Sequence, residues 1–223
     1  MPQRSAVPPA STRFGAAWER WILPTLIEKA CRGSVILDER RRVVPRATGH
    51  VLELGVGSGL NLPFYDPASV ESVTGIDPSA ALLQKAHDRA SVSPLAGRIS
   101  LLTQSAETLP FDAARFDSIV VTYTLCSVGD VEAVLTEARR VLKPGGSLFF
   151  VEHGLANDPG VAYWQRRITP LWRRVSGNCH LDRNIGDALT AAGFTLPELT
   201  ARFTEGTVKA LSFTFEGRAI VAG

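Results

Sequence analysis

Cysteine is scarce in this chain: Cys31, Cys126 and Cys179 stand at irregular spacing, and no Cys-x-x-Cys occurs. That excludes a disulfide framework and gives no zinc-site spacing, so the expectation is no metal and a reducing, cytoplasmic setting. Long apolar runs are also absent. Stretches such as 118–128 are shorter and more interrupted than the roughly 20 residues a bilayer-spanning helix needs. The first dozen residues are rich in proline and serine without an apolar core behind them, and 21–27 is broken by Pro24, so no signal peptide is expected. Net charge is only +2, too little for an electrostatic grip on nucleic acid. Internal repeats and low-complexity tracts are missing.

What remains is an ordinary globular composition, 45% hydrophobic and 21% charged over 223 residues, enough to bury one sizeable core. Charge is uneven: residues 1–50 carry nine Lys and Arg against four Asp and Glu, and the remainder fifteen against eighteen. The basic front reads as the solvated face of a helical cover. In 13–31, Phe14, Trp18, Trp21, Ile22 and Leu26 recur at spacings of three and four, as on one apolar helix face. From His50 onward, short apolar runs (51–54, 73–76, 99–102, 118–123, 147–151) alternate with helical stretches, the pattern of a parallel sheet. The clearest helix follows Asp130 as N-cap and stops at Lys143-Pro144-Gly145-Gly146. Residues 154–182 break the rhythm and read as an insertion, followed by a helix over 183–192 and closing strands near 199–203 and 213–221. The expected organisation is a cover over 1–47 and an α/β domain over 48–223 within a single structural unit.

The strongest motif is Glu53-Leu54-Gly55-Val56-Gly57-Ser58-Gly59, a strand entering a turn in which glycine lets the backbone approach a ligand. A dinucleotide fingerprint needs glycine or alanine at 60, where Leu60 stands, and has no acid at 53. The pattern suits instead the amino-acid end of S-adenosylmethionine, whose ammonium matches the Glu53 carboxylate. Ile76-Asp77-Pro78 ends the next strand, where a carboxylate can accept both ribose hydroxyls, with helix capping as a second role for Asp77. Gln104-Ser105-Ala106-Glu107-Thr108-Leu109-Pro110-Phe111 follows the third strand, where adenine would lie.

In these motifs, in the 116–123 strand and in the Leu142-Lys143-Pro144-Gly145-Gly146 turn, the chain resembles the class I S-adenosylmethionine-dependent methyltransferases over residues 48–223. The resemblance implies a Rossmann-like seven-stranded sheet of order 3-2-1-4-5-7-6 with strand 7 antiparallel, and S-adenosylmethionine at the C-terminal ends of strands 1 to 3, leaving as S-adenosylhomocysteine. Its implied cofactor residues are Glu53, Gly55, Gly57, Gly59, Asn61, Asp77, Pro78, Ser105, Ala106, Glu107 and Thr122. Many relatives place Asp where this chain has Ser105, which shifts the adenine contact to the backbone at Ala106 or to Glu107. The second half is similar to the thiol S-methyltransferases of the methyltransferase-like seven group. The matching pieces are Leu125-Cys126-Ser127-Val128, Phe149-Phe150-Val151-Glu152-His153, Trp164-Gln165, Pro170-x-Trp172 and Cys179-His180-Leu181-x-Arg183. Those animal proteins begin with a hydrophobic anchor. This chain shows only an amphipathic segment there, compatible with peripheral lipid contact.

A free thiol, with pKa near 8.5, is only a few per cent ionised at pH 7, so His153 and His180 are the candidate proton acceptors. Each also has a structural reading, as a hydrogen-bonding residue or as one that orients the insertion. Phe14, Trp18, Leu125, Cys126, Trp164, Trp172 and Cys179, with His153, are the expected acceptor pocket and lid, and core packing is the bland alternative for each. Arg183 reads as a partner for the insertion's carbonyls or for Glu152, and His50 and His87 as surface residues. The acceptor is expected to be a small apolar molecule, most simply a thiol. O-, N- or C-methylation of a phenol, amine or quinone, and a non-catalytic cofactor-binding regulator, stay open. Nucleic-acid methylation is disfavoured, because strand 4 ends Thr122-Tyr123-Thr124-Leu125 where an Asn/Asp-Pro-Pro-Tyr motif would hold a flipped base.

Overall fold

The computed structural model describes residues 33–204 and 208–221. Seven strands form one sheet: β1 Gly49–Leu54, β2 Val70–Asp77, β3 Ile99–Thr103, β4 Phe116–Thr122, β5 Leu142–His153, β6 Phe194–Phe203 and β7 Phe213–Val221. Their order is β3-β2-β1-β4-β5-β7-β6, parallel from β3 to β5, with β7 antiparallel to both β5 and β6. This is the sheet that the family resemblance implied. Because side chains alternate along a strand, each central strand feeds two cores. Leu52, Leu54, Ile119, Val121, Leu148 and Phe150 pack on one face, and Val51, Val120, Phe149 and Val151 on the other.

The helices are α1 Ser34–Val43, α2 Ala80–Ser91, α3 Val131–Val141, α4 Pro159–Val175 and α5 Ile185–Ala191. In α3 the Asp130 carboxylate accepts the Ala133 N–H at 3.0 Å, the cap expected, and Val134, Leu135, Ala138 and Val141 are buried in the core. Leu142 is already extended, so the Lys143–Gly146 stretch belongs to β5. The insertion contains a helix of its own: Asp158 caps α4, Pro159 occupies its first turn, and Pro170 sits inside it, where it removes a backbone donor. Two boundaries differ from expectation. β6 begins at Phe194, well before Leu199, and α5 begins at Ile185 because Asn184 caps it.

Residues 33–47, the described part of the expected cover, lie against the sheet. Val43, Val44 and Ala47 are buried in the second core, while Arg42 pairs with Glu216 at 2.8 Å and Arg46 with Glu198 at 2.7 Å. The 13–31 helix, Phe14, Trp18 and Cys31 lie outside the described residues. Among the described residues no helix is long and apolar enough to cross a membrane.

Candidate functional site

The sheet reverses its strand order between β1 and β4, and a crevice opens there beyond the strand ends, the usual ligand position in open α/β sheets. It holds a cavity of about 420 Å³. Gly55 and Gly57 line it in the left-handed region, at φ 70° and 55°. A Cβ on Gly55 would collide with the Thr124 side chain, whereas one on Gly57 would meet no atom nearer than the Gly55 carbonyl oxygen at 3.9 Å and would project into open space. Gly59 lies deeper, where its missing Cβ lets the turn approach Ala86 of α2.

Asp77 and Pro78 line the same cavity. One Asp77 oxygen accepts the Gly57 N–H at 3.0 Å and the other accepts the Ser79 N–H at 2.8 Å, so the carboxylate locks the glycine loop to the end of β2. Burial pushes the Asp77 carboxyl up against the pull of those two N–H bonds. The helix-capping role considered for Asp77 belongs to Ser79, whose side chain accepts the Leu82 N–H.

Glu53 does not face the cavity. It is 1% exposed beneath the loop and accepts from Asn61 Nδ2 at 2.9 Å and from the Tyr65 hydroxyl at 2.7 Å. Burial lifts its carboxyl to about 7, against the lowering effects of Tyr65 and Arg40. Asn61 is likewise buried behind the wall, and Thr122 is on it. Joining them is a residue the sequence reading missed. Arg40, 6% exposed on α1, donates from Nη1 to Asn61 Oδ1 and to Thr122 Oγ1, each at 2.6 Å, and lines the cavity. Its Nε is buried without a partner among the described residues. Arg40 was hidden in the basic front of residues 1–50, read as a solvated face. The signal was available, because Ile36, Leu37, Arg40, Val43, Val44 and Ala47 recur at three- and four-residue spacing, placing Arg40 on the apolar stripe.

At the far end, Ser105, Ala106 and Glu107 line the cavity, as expected for an adenine subsite. The Ser105 hydroxyl donates to the Glu107 carboxylate, which also accepts the Gly129 N–H at 3.2 Å. The remaining wall comes from the loop after β4 and the loop after α4, with Tyr123, Thr124, Ser127, Ser176 and Gly177. Tyr123 takes a left-handed φ of 58°, rare for a bulky residue, and its hydroxyl donates to Glu39. Glu152, buried at the end of β5, holds the β4 loop by accepting the N–H groups of Thr124, Leu125 and Cys126 at 2.7–3.0 Å. Arg183 donates to the carbonyls of Leu125 and Val128, so it braces this loop rather than the insertion.

None of Leu125, Cys126, His153, Trp164, Trp172, Cys179 and His180 lines the cavity. Leu125 is core, and Trp164 is 59% exposed, its ring edge-on to Tyr163 rather than over the crevice. His180 Nδ1 is 3.8 Å from Asp182, and burial with Arg183 and Arg173 nearby pushes its imidazole down to about 4. His153 sits behind Tyr123, ring centroids 4.8 Å apart, and reaches the cavity only through that ring. Neither of the histidines expected to take the acceptor's proton lines the cavity. His153, Cys126, Cys179 and Trp172 instead meet in a small cluster beside the wall.

Residues 52–150 match a family described as a methyltransferase domain. The thiol S-methyltransferase TMT1B of Rattus norvegicus is 35% identical over 153 residues, 67% of this chain and 61% of the relative. The phosphatidylethanolamine N-methyltransferase of Cereibacter sphaeroides is 35% identical over 131 residues, 57% of this chain and 63% of the relative. The chain thus spans about three fifths of the length of these relatives. Among solved structures, an S-adenosylmethionine-dependent methyltransferase from Thermotoga maritima superposes with a TM-score of 0.57 at 23% identity, covering 94% of this chain and 97% of that one.

Proposed function

The chain belongs to the class I S-adenosylmethionine-dependent methyltransferases, and from that premise we propose that it methylates the sulfur of a small apolar thiol. The cavity residues fit the cofactor. Arg40, a buried cation whose Nε has no partner among the described residues, lies at the glycine-loop end and suits a carboxylate. Asp77, a buried carboxylate on the wall, suits hydroxyl donors, and the space beside Gly57 admits a chain that any side chain there would displace. When bound, S-adenosylmethionine supplies an electrophilic methyl group on a sulfonium.

The protein's part is alignment and exclusion of water, which can supply roughly 7–11 kcal/mol in a two-reactant step. Tyr123, held by Glu39 and packed against the tilted ring of His153, fixes the wall nearest the β4 loop. The only carboxylates on the cavity, among the described residues, are Asp77 and Glu107, at the ribose and adenine end. Among the described residues no imidazole or carboxylate lines the acceptor end, and in this reading the thiol enters already ionised.

The observation that carries sulfur is convergence. The segments that resemble thiol S-methyltransferases, 125–128, 149–153 and 179–183, are distant in sequence and meet behind Tyr123, with Cys179 Sγ 3.9 Å from His153 Nδ1. The test is incubation with S-adenosylmethionine and a panel of thiols, phenols, amines and quinones, with product masses read directly. Thioether formation supports the reading. A methyl ether, methylamine or C-methyl product in its place moves the chain to another acceptor, and no turnover with any acceptor favours a cofactor-binding regulator.

A further inference from the structure

We propose that Cys126, His153 and Cys179 bind one soft divalent cation, zinc in the first instance. Their Sγ and ring nitrogen atoms all lie within 4.8 Å of one another, with Cys179 Sγ to His153 Nδ1 at 3.9 Å. A tetrahedral zinc with Zn–S near 2.3 Å and Zn–N near 2.05 Å separates its ligand atoms by roughly 3.6–3.8 Å, so small side-chain rotations close the site. The set is two sulfurs and an imidazole, the donors zinc prefers, and neither cysteine is in a disulfide.

The three ligands come from separate segments that are already tied together. Glu152 accepts the Cys126 N–H at 3.0 Å, and its chain neighbour is His153. The His180 N–H, next to Cys179, donates to the Cys126 carbonyl at 2.7 Å. Trp172, whose indole N–H is buried without a hydrogen-bond partner among the described residues, packs on the same cluster, positioned to donate to a metal-bound thiolate. Binding displaces the two thiol protons to solvent and leaves a buried divalent charge balanced by two thiolates. Three protein ligands leave the fourth position to water, and the ion fastens the loop carrying Ser176 and Gly177 to the β4 loop across the cavity wall. Sequence spacing could not show this, because the two cysteines lie 53 positions apart and no pair has finger spacing.

The test uses the full chain. Purified under reducing conditions it is expected to carry close to one zinc per chain, and after zinc removal to bind Co²⁺ with thiolate charge-transfer and tetrahedral d–d bands. Cys126→Ser, Cys179→Ser and His153→Ala should each weaken Co²⁺ binding by at least about a hundredfold. His153→Cys, which restores a ligand, should keep the tetrahedral spectrum. Should a serine variant fail to fold by circular dichroism, residue-resolved alkylation of the unmutated chain decides: zinc should protect Cys126 and Cys179. A folded chain that takes up no metal, a Co²⁺ spectrum unchanged in all three variants, or equal alkylation with and without zinc overturns the proposal.

Discussion

Arg40 and Thr122 lie 82 positions apart in sequence, yet a guanidinium nitrogen and a hydroxyl oxygen meet at 2.6 Å on the cavity wall. The same nitrogen holds Asn61, so the helix before β1 supplies the cation of the glycine-loop end. If that cation binds the cofactor's carboxylate, Arg40→Gln should weaken S-adenosylmethionine about tenfold to a hundredfold, as expected for a lost hydrogen bond to a charged group. Calorimetric titration checks this, with decarboxylated S-adenosylmethionine as control. The control ligand should bind the variant and the unmutated chain alike, and Arg40→Lys should fall between, since it keeps charge but not the fork.

Asp77→Ala removes a charged acceptor from the wall and the clamp on the Gly57 N–H. Cofactor affinity should fall by an order of magnitude or more, read by the same titration. Unchanged affinity in a folded Asp77→Ala protein would separate Asp77 from the ribose.

The two loop glycines should fail differently. Gly57→Val places its side chain in open cavity, so the protein should fold with a modest loss from the strained φ and lose cofactor binding. Gly55→Val drives its side chain into Thr124 and should lower the unfolding midpoint in urea before any ligand is added.

Glu53 gives a pH prediction. Its carboxyl is lifted from an ordinary 4.5 to about 7 in the fold, so in that interval the native state holds a proton that the unfolded chain has released. Its contribution is therefore full below about pH 4.5 and declines as pH rises to about 7, by on the order of 3 kcal/mol. Glu53→Gln should flatten that part of the stability profile measured by urea unfolding at pH 5 and pH 8. Parallel profiles would contradict the assignment.

The glycine loop, Asp77 and the Ser105–Glu107 segment were legible in the sequence because each is a short contiguous motif fixed at a strand end, and the strand order followed from the family resemblance. Glu53 was expected beside a ligand ammonium, which its spacing suited, and its hydrogen bonds in the fold go to Asn61 and Tyr65, because the pleat turns it under the loop. Arg40 was legible as part of an apolar helical stripe but not as the partner of Asn61 and Thr122, and Cys126, His153 and Cys179 as pocket residues but not as a set of three donor atoms, because those contacts join distant segments that no local pattern records. Trp164, expected in the lid, is exposed on α4, since helical periodicity does not say which face a helix gives to a crevice.

The most direct measurement of the central claim is a competition between a matched thiol and phenol, thiophenol against phenol, with methyl-labelled S-adenosylmethionine across a pH series. The account predicts methyl thioether and S-adenosylhomocysteine in equal amounts, with kcat/KM rising with the ionised fraction of the thiol and no second ionisation from the protein. Labelled methyl ether with no thioether, or a rate indifferent to thiol ionisation, would contradict it.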